Sequence, residues 1–216
     1  MELLSYYPVP YQAPENKYRV PASASGEFDL HAAESARAAD LAMAAYDTTS
    51  IFYQYVQGWL LHDLFSMHDP FGAPYEFLWA NPYQPGLSYY HLTPVVHDSV
   101  LGQFFVRSSW DDDARWAGLF GGKLQVFSDG KVQSIDLASP KLLDFDHAVV
   151  GVVGNATSVT IENGTNFIYL VGLKPQGRYS LGSGIGDKRA DRSGILELIF
   201  LDQGFRGTIR LRLLQR

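Results

Sequence analysis

Pairs of turn-forming residues recur at short intervals in the second half of this chain, and they constrain its fold more than any other feature. Gly121-Gly122 and Asp129-Gly130 each follow a short run rich in apolar residues. Such pairs adopt positive φ angles readily and therefore close two-residue β-hairpins. They predict a first meander of three strands: Trp110–Phe120, Lys123–Phe127 and Val132–Ile135.

A second meander is predicted from the same kind of punctuation. Turns around Gly154-Asn155 and at Asn163-Gly164 would join three further strands: Ala148–Val153, Ser158–Glu162 and Asn166–Gly172. Between the two meanders, residues 136–146 contain Pro140, which suits a segment that crosses from one sheet to another.

The C-terminus supplies two closing strands, Ile195–Leu201 and Thr208–Leu213. In the last of these, three aliphatic residues alternate with two arginines: Ile209, Leu211 and Leu213 against Arg210 and Arg212. Alternation with period two predicts one buried and one solvated face. Roughly nine or ten strands in this half pack best as an antiparallel β-sandwich of two meanders, so the chain is predicted to be mainly β.

The first half of the chain follows a different pattern from the second. The whole chain is therefore predicted to consist of four segments. Residues 1–28 are polar and rich in proline, and predict an extended arm. Residues 29–68 predict a helical hairpin, with Asp29 capping an alanine-rich helix over Leu30–Tyr46 and a second, broadly apolar helix over Ile51–Met67. An aromatic, proline-rich connector over residues 69–94 then leads into the β domain over residues 95–216.

Composition and charge exclude several classes of protein. The formal net charge of −6, without a long run of Lys or Arg, argues against a nucleic-acid binder. No stretch approaches the ~20 apolar residues of a membrane-spanning helix, and the start MELLSYYPVPY lacks the regions of a signal peptide. The absence of cysteine excludes disulfides and thiolate metal sites but leaves the compartment open.

One motif is predicted to be purely architectural. The sequence from Leu173 through Pro175 to Tyr179 has the Leu-x-Pro-x-x-x-Tyr form of a tyrosine corner, in which a tyrosine hydroxyl bonds backbone a few residues upstream. A second motif, residues 182–186 (GSGIG), resembles a dinucleotide fingerprint, but no helix follows it, so we interpret it as a mobile loop.

Two segments carry a family resemblance. Residues 77–82 (FLWANP) and residues 105–114 (FVRSSWDDDA) resemble the junction between an α/α toroid and a β-sandwich in heparinase II/III-type polysaccharide lyases. The similarity spans about 50 residues; elsewhere it is one of architecture. It implies that the chain is the C-terminal part of a larger lyase-like protein, which would be extracytoplasmic if that protein is secreted.

The resemblance also implies a histidine-rich run soon after the Arg-Ser-x-Trp strand, and this chain has none there: residues 116–127 read WAGLFGGKLQVF. We therefore expect a non-catalytic β-sandwich module with a scaffold or glycan-binding role. The alternative is a uronate-polysaccharide lyase of which this chain forms one wall of the substrate cleft. Such a lyase needs a base and an acid, for which His91 and His97 are the candidates.

Aromatic residues of the connector are the candidate sugar-binding surface, because flat rings stack on the apolar faces of sugars. With the arginine of the junction, the predicted substrate-binding residues are Trp79, Tyr83, Tyr89, Tyr90 and Arg107. The same aromatics could instead wedge the helices onto the sandwich. Trp110 and Trp116, at even spacing on one predicted strand, are expected to face the same side and enter the core.

No cofactor is predicted, although a divalent cation has weak candidates in His62, His68, Asp111 and Asp113. Capping and solvation explain these residues equally well. Asn155 and Asn163 begin glycosylation sequons, yet both fall in predicted turns that account for them. The expected partners are a polysaccharide or oligosaccharide, and a second copy of the chain through the apolar helical hairpin, with no nucleic acid and no membrane.

Overall fold

The computed structural model describes residues 6–10, 17–21, 49–62, 86–111, 114–182 and 184–214. The described residues form two compact units, those up to Thr93 in the first and those from Pro94 onward in the second. The predicted helix over Leu30–Tyr46 lies outside the described residues, as do residues 77–82 of the junction motif. No helix in the described part is long and apolar enough to cross a membrane.

In the first unit, strands β1 (Tyr6–Pro10) and β2 (Lys17–Pro21) pair in an antiparallel ribbon within the segment interpreted as an extended arm. Helix α1 runs over Ile51–His62 and begins where predicted. The Phe52 N–H donates to the Ser50 hydroxyl at 3.3 Å, so Ser50 caps the helix. The helix, predicted to be broadly apolar, buries Tyr53 and Val56, whereas Phe52 is 63% exposed.

The described residues of the second unit form three sheets. Their strands are, in chain order, β3 Val95–Asp98, β4 Gln103–Arg107, β5 Trp116–Phe120, β6 Lys123–Ser128, β7 Lys131–Ile135, β8 Lys141–Asp144, β9 Ala148–Val152, β10 Ser158–Thr165, β11 Phe167–Val171, β12 Arg178–Leu181, β13 Gly186–Arg189, β14 Leu196–Ile199 and β15 Phe205–Leu213. The front sheet has the strand order β3-β4-β5-β6-β7, the central sheet β14-β11-β9-β8, and the outer sheet β10-β15-β12-β13.

The mainly β prediction is confirmed, and the sheets stack in three layers around two cores. One core joins the front sheet to the central sheet and contains, among others, Phe104, Leu119, Leu124, Val150 and Tyr169. The other joins the central sheet to the outer sheet and contains Ile161, Ile168, Leu170, Tyr179 and Ile209. The central sheet is therefore apolar on both faces.

The first meander is confirmed at its two turns. Gly121 and Gly122 have φ angles of 54° and 78°, and Asp129 and Gly130 have 52° and 73°, as two-residue hairpins require. The strand predicted over Trp110–Phe120 is wrong in its first half, because β5 begins only at Trp116. Trp110 lies in a bend before it, although both tryptophans are buried as expected.

The second meander is not formed. Strands β9 and β11 pair in parallel, and β10, which lies between them in sequence, belongs to the outer sheet and pairs with β15. The Asn163-Gly164 turn is also wrong, because both residues lie within β10. The physical reason is visible in β9: all five of its residues are buried, which is typical of a strand covered on both faces and paired in parallel.

Other details of the outer sheet differ from the prediction. Residues 182–186 were interpreted as a mobile loop; of these, Gly186 begins β13 and pairs with Leu181 of β12. In β15, Ile209 and Leu211 are buried as predicted, whereas Leu213 is 42% exposed. The tyrosine corner is confirmed, since the Lys174 N–H donates to the Tyr179 hydroxyl at 2.8 Å.

Candidate functional site

A cluster of ionisable side chains lies between the front and central sheets, at their edge strands. His97 comes from β3, the edge strand of the front sheet, and Glu197 from β14, the edge strand of the central sheet. Tyr169 lies on β11 directly opposite Glu197 in the antiparallel register. Asp191 lies in the segment between β13 and β14. We call these four residues the histidine network.

Both ring nitrogens of His97 face carboxylates. Its Nε2 lies 3.1 Å from Oδ2 of Asp191, and its Nδ1 lies 3.4 Å from Oε2 of Glu197. The Tyr169 hydroxyl donates to the other oxygen of Glu197, Oε1, at 2.9 Å. Because an imidazolium has two N–H donors and no acceptor, the protonated ring satisfies both carboxylates at once.

Asp191 is held in place by its own backbone surroundings. Its Oδ1 accepts hydrogen bonds from the Ser193 and Ile195 N–H groups at 2.8 and 2.9 Å. Gly194, within the same turn, has a φ of 78°, and a Cβ at this position would collide with the Leu173 carbonyl, so only glycine fits there. The carboxylate that faces His97 is thus part of a rigid turn.

Burial and charge act in opposite directions on His97. Burial alone would lower its pKa, but hydrogen bonds to Glu197 and Asp191 and the charges of both carboxylates outweigh this effect, so the pKa of His97 is raised above 6.5. The hydrogen bond from His97 in turn lowers the pKa of Glu197, against the opposing effect of burial. Burial, together with the negative charge of Glu197, raises the pKa of Tyr169 and keeps its hydroxyl protonated.

The network is closed to solvent at most of its atoms. The side chains of His97 and Asp191 are 7% and 5% exposed, and Tyr169 is 1% exposed, whereas Glu197 at 29% is its accessible member. The Tyr169 ring stacks on Phe104 with centroids 5.1 Å apart and meets the His97 ring edge-on at 6.0 Å. The arrangement can hold a proton between two carboxylates, but it offers little room for a substrate.

Arg107, predicted to contact substrate, is 2% exposed. Its Nε donates to the Ser109 carbonyl at 3.2 Å and its Nη2 to the Asp111 carbonyl at 3.0 Å. The Asp111 carboxylate accepts from the Ser109 hydroxyl at 2.9 Å. These contacts favour a structural role in which Arg107 fixes the backbone of the bend after β4.

His91 lies in the first unit, where its Nε2 is 3.0 Å from the hydroxyl of Tyr55. His91 and His97, the two candidate acid and base residues, have different partners. Tyr89 is buried and stacks with Tyr90 at 4.9 Å, while Tyr90 is 47% exposed. Tyr90 is therefore the predicted sugar-binding residue that the described surface presents.

The remaining candidates cannot be placed: Trp79, Tyr83, His68, Asp113 and the side chain of His62 lie outside the described residues. Within the described residues, no group of three or more His, Asp or Glu is arranged to hold a metal ion. The cation predicted for Asp111 therefore has no ligand set in that part of the chain.

Sequence reasoning found His97 but missed its three partners. Tyr169, Asp191 and Glu197 follow it by 72 or more positions, so no local pattern joins them. One signal was present: Glu197 is a charged residue inside the apolar run Ile195–Phe200. A carboxylate in such a strand needs a partner, and this need alone could have marked it.

Comparison with known proteins identifies no similar protein. No protein-family model matches the chain, and neither does any curated protein or solved structure. The resemblance to heparinase II/III-type lyases therefore depends on the two quoted segments and stays a prediction.

Proposed function

We propose that this chain is a non-catalytic β-sandwich module of a polysaccharide lyase-like protein, with a scaffold or glycan-binding role. The observation that carries this proposal is the state of His97. Both of its nitrogens face carboxylates and its side chain is 7% exposed. A general base must reach the proton that it removes, and this ring is directed at its own partners instead.

Tyr169 supports the same proposal. A tyrosine that removes or donates a proton near neutral pH needs a pKa close to the working pH. Burial and the neighbouring Glu197 raise the pKa of Tyr169 and so move it away from that range. Its hydroxyl acts as a hydrogen-bond donor to Glu197, which stabilises the contact between strands β11 and β14.

The glycan-binding part of the proposal depends on Tyr90. Its ring is 47% exposed and is supported by stacking on Tyr89, so that it is held in a defined orientation. His91, next in sequence, is exposed and hydrogen-bonds Tyr55. An oriented tyrosine beside polar groups is the chemistry that sugar rings require, since it offers an apolar face and hydrogen bonds together.

Binding and turnover of uronate polysaccharides by the full chain test the proposal. We expect polygalacturonate to bind in calorimetry, without the ultraviolet absorbance of an unsaturated uronate product. Tyr90→Ala should weaken binding about tenfold, equivalent to ~1.4 kcal/mol. The matched control is Phe52→Ala, which removes a similarly exposed aromatic from α1 and should leave binding unchanged.

The same assay tests the alternative, that the chain is part of an active lyase. In a uronate-polysaccharide lyase built on the described residues, the candidate acid and base are His91 and His97. Formation of the unsaturated product by the wild-type chain, with loss of that product in His97→Gln, would overturn the non-catalytic proposal. Binding that is unaffected by Tyr90→Ala would contradict the role of the tyrosine.

A further inference from the structure

Arginines are concentrated on the outward face of the outer sheet. Strand alternation places Ile209 and Leu211 of β15 inward, where both are buried. The intervening positions of β15 therefore point away from the core, and three of them are arginines: Arg206, Arg210 and Arg212. All three are exposed.

Neighbouring strands add two more arginines to the same face. Ser180 of β12 pairs with Arg212, so it lies on the outward side, as does Arg178 two positions earlier. Arg178 in turn pairs with Arg189 of β13. We call this set the arginine face: Arg178, Arg189, Arg206, Arg210 and Arg212.

Few carboxylates balance this charge. Asp187 forms an ion pair with Arg178 at 3.2 Å, and Glu162 of β10 is the other acidic residue at an outward position among the described residues of the sheet. Arg189 donates from Nε to the Gln176 carbonyl. Within the described part of the chain, Arg206, Arg210 and Arg212 have no ion-pair partner. The chain has a formal net charge of −6, yet positive charge is concentrated on this face.

The spacing of these side chains suits a repeating ligand. Outward residues two positions apart on a strand are separated by about 6.8 Å, and adjacent strands by about 4.8 Å. Arg210 and Arg212 are therefore close enough to contact successive anionic groups of one polymer. Hydroxyl side chains lie among them, since Ser158 pairs with Arg210 and Ser180 with Arg212.

We infer that the arginine face binds a linear acidic polysaccharide through its sulfate or carboxylate groups. Arginine presents several N–H donors in a planar fork that matches both oxyanions. A single-stranded nucleic acid is disfavoured, because binding of that class combines positive charge with aromatic stacking, and no outward residue in the described part of this sheet is aromatic. The inference rests on the proposed glycan-binding role and extends it to a surface of the second unit.

Affinity electrophoresis and calorimetry on the full chain test the inference with defined probes: dextran sulfate, polygalacturonate, uncharged dextran and single-stranded DNA. We expect the two acidic polysaccharides to bind and uncharged dextran not to bind. The double substitution Arg210→Gln and Arg212→Gln should weaken their binding at least about tenfold and reduce its dependence on salt, because fewer counterions are released. The stronger of the two acidic probes identifies sulfate or carboxylate as the preferred group.

The control is a double substitution of similar charge change, Lys123→Gln and Lys131→Gln, at exposed positions of the front sheet. It should bind as the wild type does. Equal binding by the arginine double variant and the wild type would overturn the inference, as would DNA binding that is tighter than polysaccharide binding and equally dependent on the arginines. If polygalacturonate binding depends on Tyr90 but not on the arginines, the arginine face is contradicted while the proposed function stands. If neither acidic polysaccharide binds, both are contradicted.

Discussion

The two outermost faces of the three-sheet unit differ in chemistry, although side chains alternate between inward and outward positions on both sheets. On the front sheet, the positions that point away from the central sheet hold an aromatic cluster: Phe105, Trp116, Phe120 and Phe127, with neighbouring ring centroids 5.1 to 5.9 Å apart. On the outer sheet, the corresponding positions form the arginine face. Three of the four aromatics are buried, whereas the arginines are exposed.

This difference indicates that the outward face of the front sheet is structural, whereas the outward face of the outer sheet is exposed. A sheet with one face on the core normally has polar residues on the other, so apolar residues on both faces indicate burial on both. Gly118 illustrates how closely the aromatic cluster packs, because a Cβ there would collide with the rings of Phe105 and Phe120. On the arginine face, by contrast, Arg206, Arg210 and Arg212 are exposed, and they form no ion pair with the described residues.

The largest expected effect is the loss of stability in Trp116→Ala. Trp116 is fully buried between Phe105 and Phe127, and a Trp→Ala change in such a site typically costs about 3–5 kcal/mol. Denaturant unfolding of the full chain measures it. Arg210→Ala, on the opposite face, should stay within ~0.5 kcal/mol of the wild type. Equal losses of stability in the two variants would contradict the conclusion that the aromatic cluster is structural and the arginine face is not.

An intermediate effect is expected from His97→Gln, and it should depend on pH. A raised pKa of His97 stabilises the fold fully below the ordinary value of 6.5, and this contribution is lost as the pH rises through the raised value. A lowered pKa of Glu197 stabilises above its ordinary value of 4.5, and this contribution is lost as the pH falls through the lowered value. The difference in unfolding free energy between wild type and variant should thus be greatest between pH 4.5 and 6.5, on the order of 1–3 kcal/mol, and decrease in alkaline solution.

The control for His97→Gln is Phe104→Leu, which removes the ring stacked on Tyr169 without removing a titrating group. Its loss of stability should be the same at every pH. A His97→Gln loss that is equally constant would show that the histidine network acts by packing, like the aromatic cluster, and not by charge.

The smallest expected effect is that of Tyr179→Phe at the tyrosine corner. The change removes the acceptor of the Lys174 N–H and should cost about 1 kcal/mol. Thermal unfolding measures the loss. No change in Tyr179→Phe would mean that the corner contributes nothing to the edge between the central and outer sheets.

The sequence predicted the features that depend on neighbouring residues. The hairpins at Gly121-Gly122 and Asp129-Gly130, the tyrosine corner and the start of α1 were all identified correctly. Each depends on backbone angles or hydrogen bonds within a few residues, which the residue types themselves determine. Exposure of the arginines in β15 followed from the same short-range rule, because side chains alternate along a strand.

The assignment of strands to sheets could not be predicted in this way. The strand predicted over Ala148–Val153 was found as β9, but its apolar run does not specify which strand it pairs with, and the partner proved to be β11 and not the next strand. The histidine network was missed for the same reason, since its members come from four separate places along the chain. These residues are close together only because β11 pairs with β14 and β3 packs against them.

By itself, then, the sequence determined the local geometry of this protein: which residues turn, which extend, and which side of β15 faces water. Only the tertiary structure decided that three sheets stack, that His97 is enclosed by carboxylates and that arginines of three strands form one face. The physical reason is that backbone angles and side-chain alternation are set over a few residues, whereas sheet order is set by contacts between residues far apart in the chain.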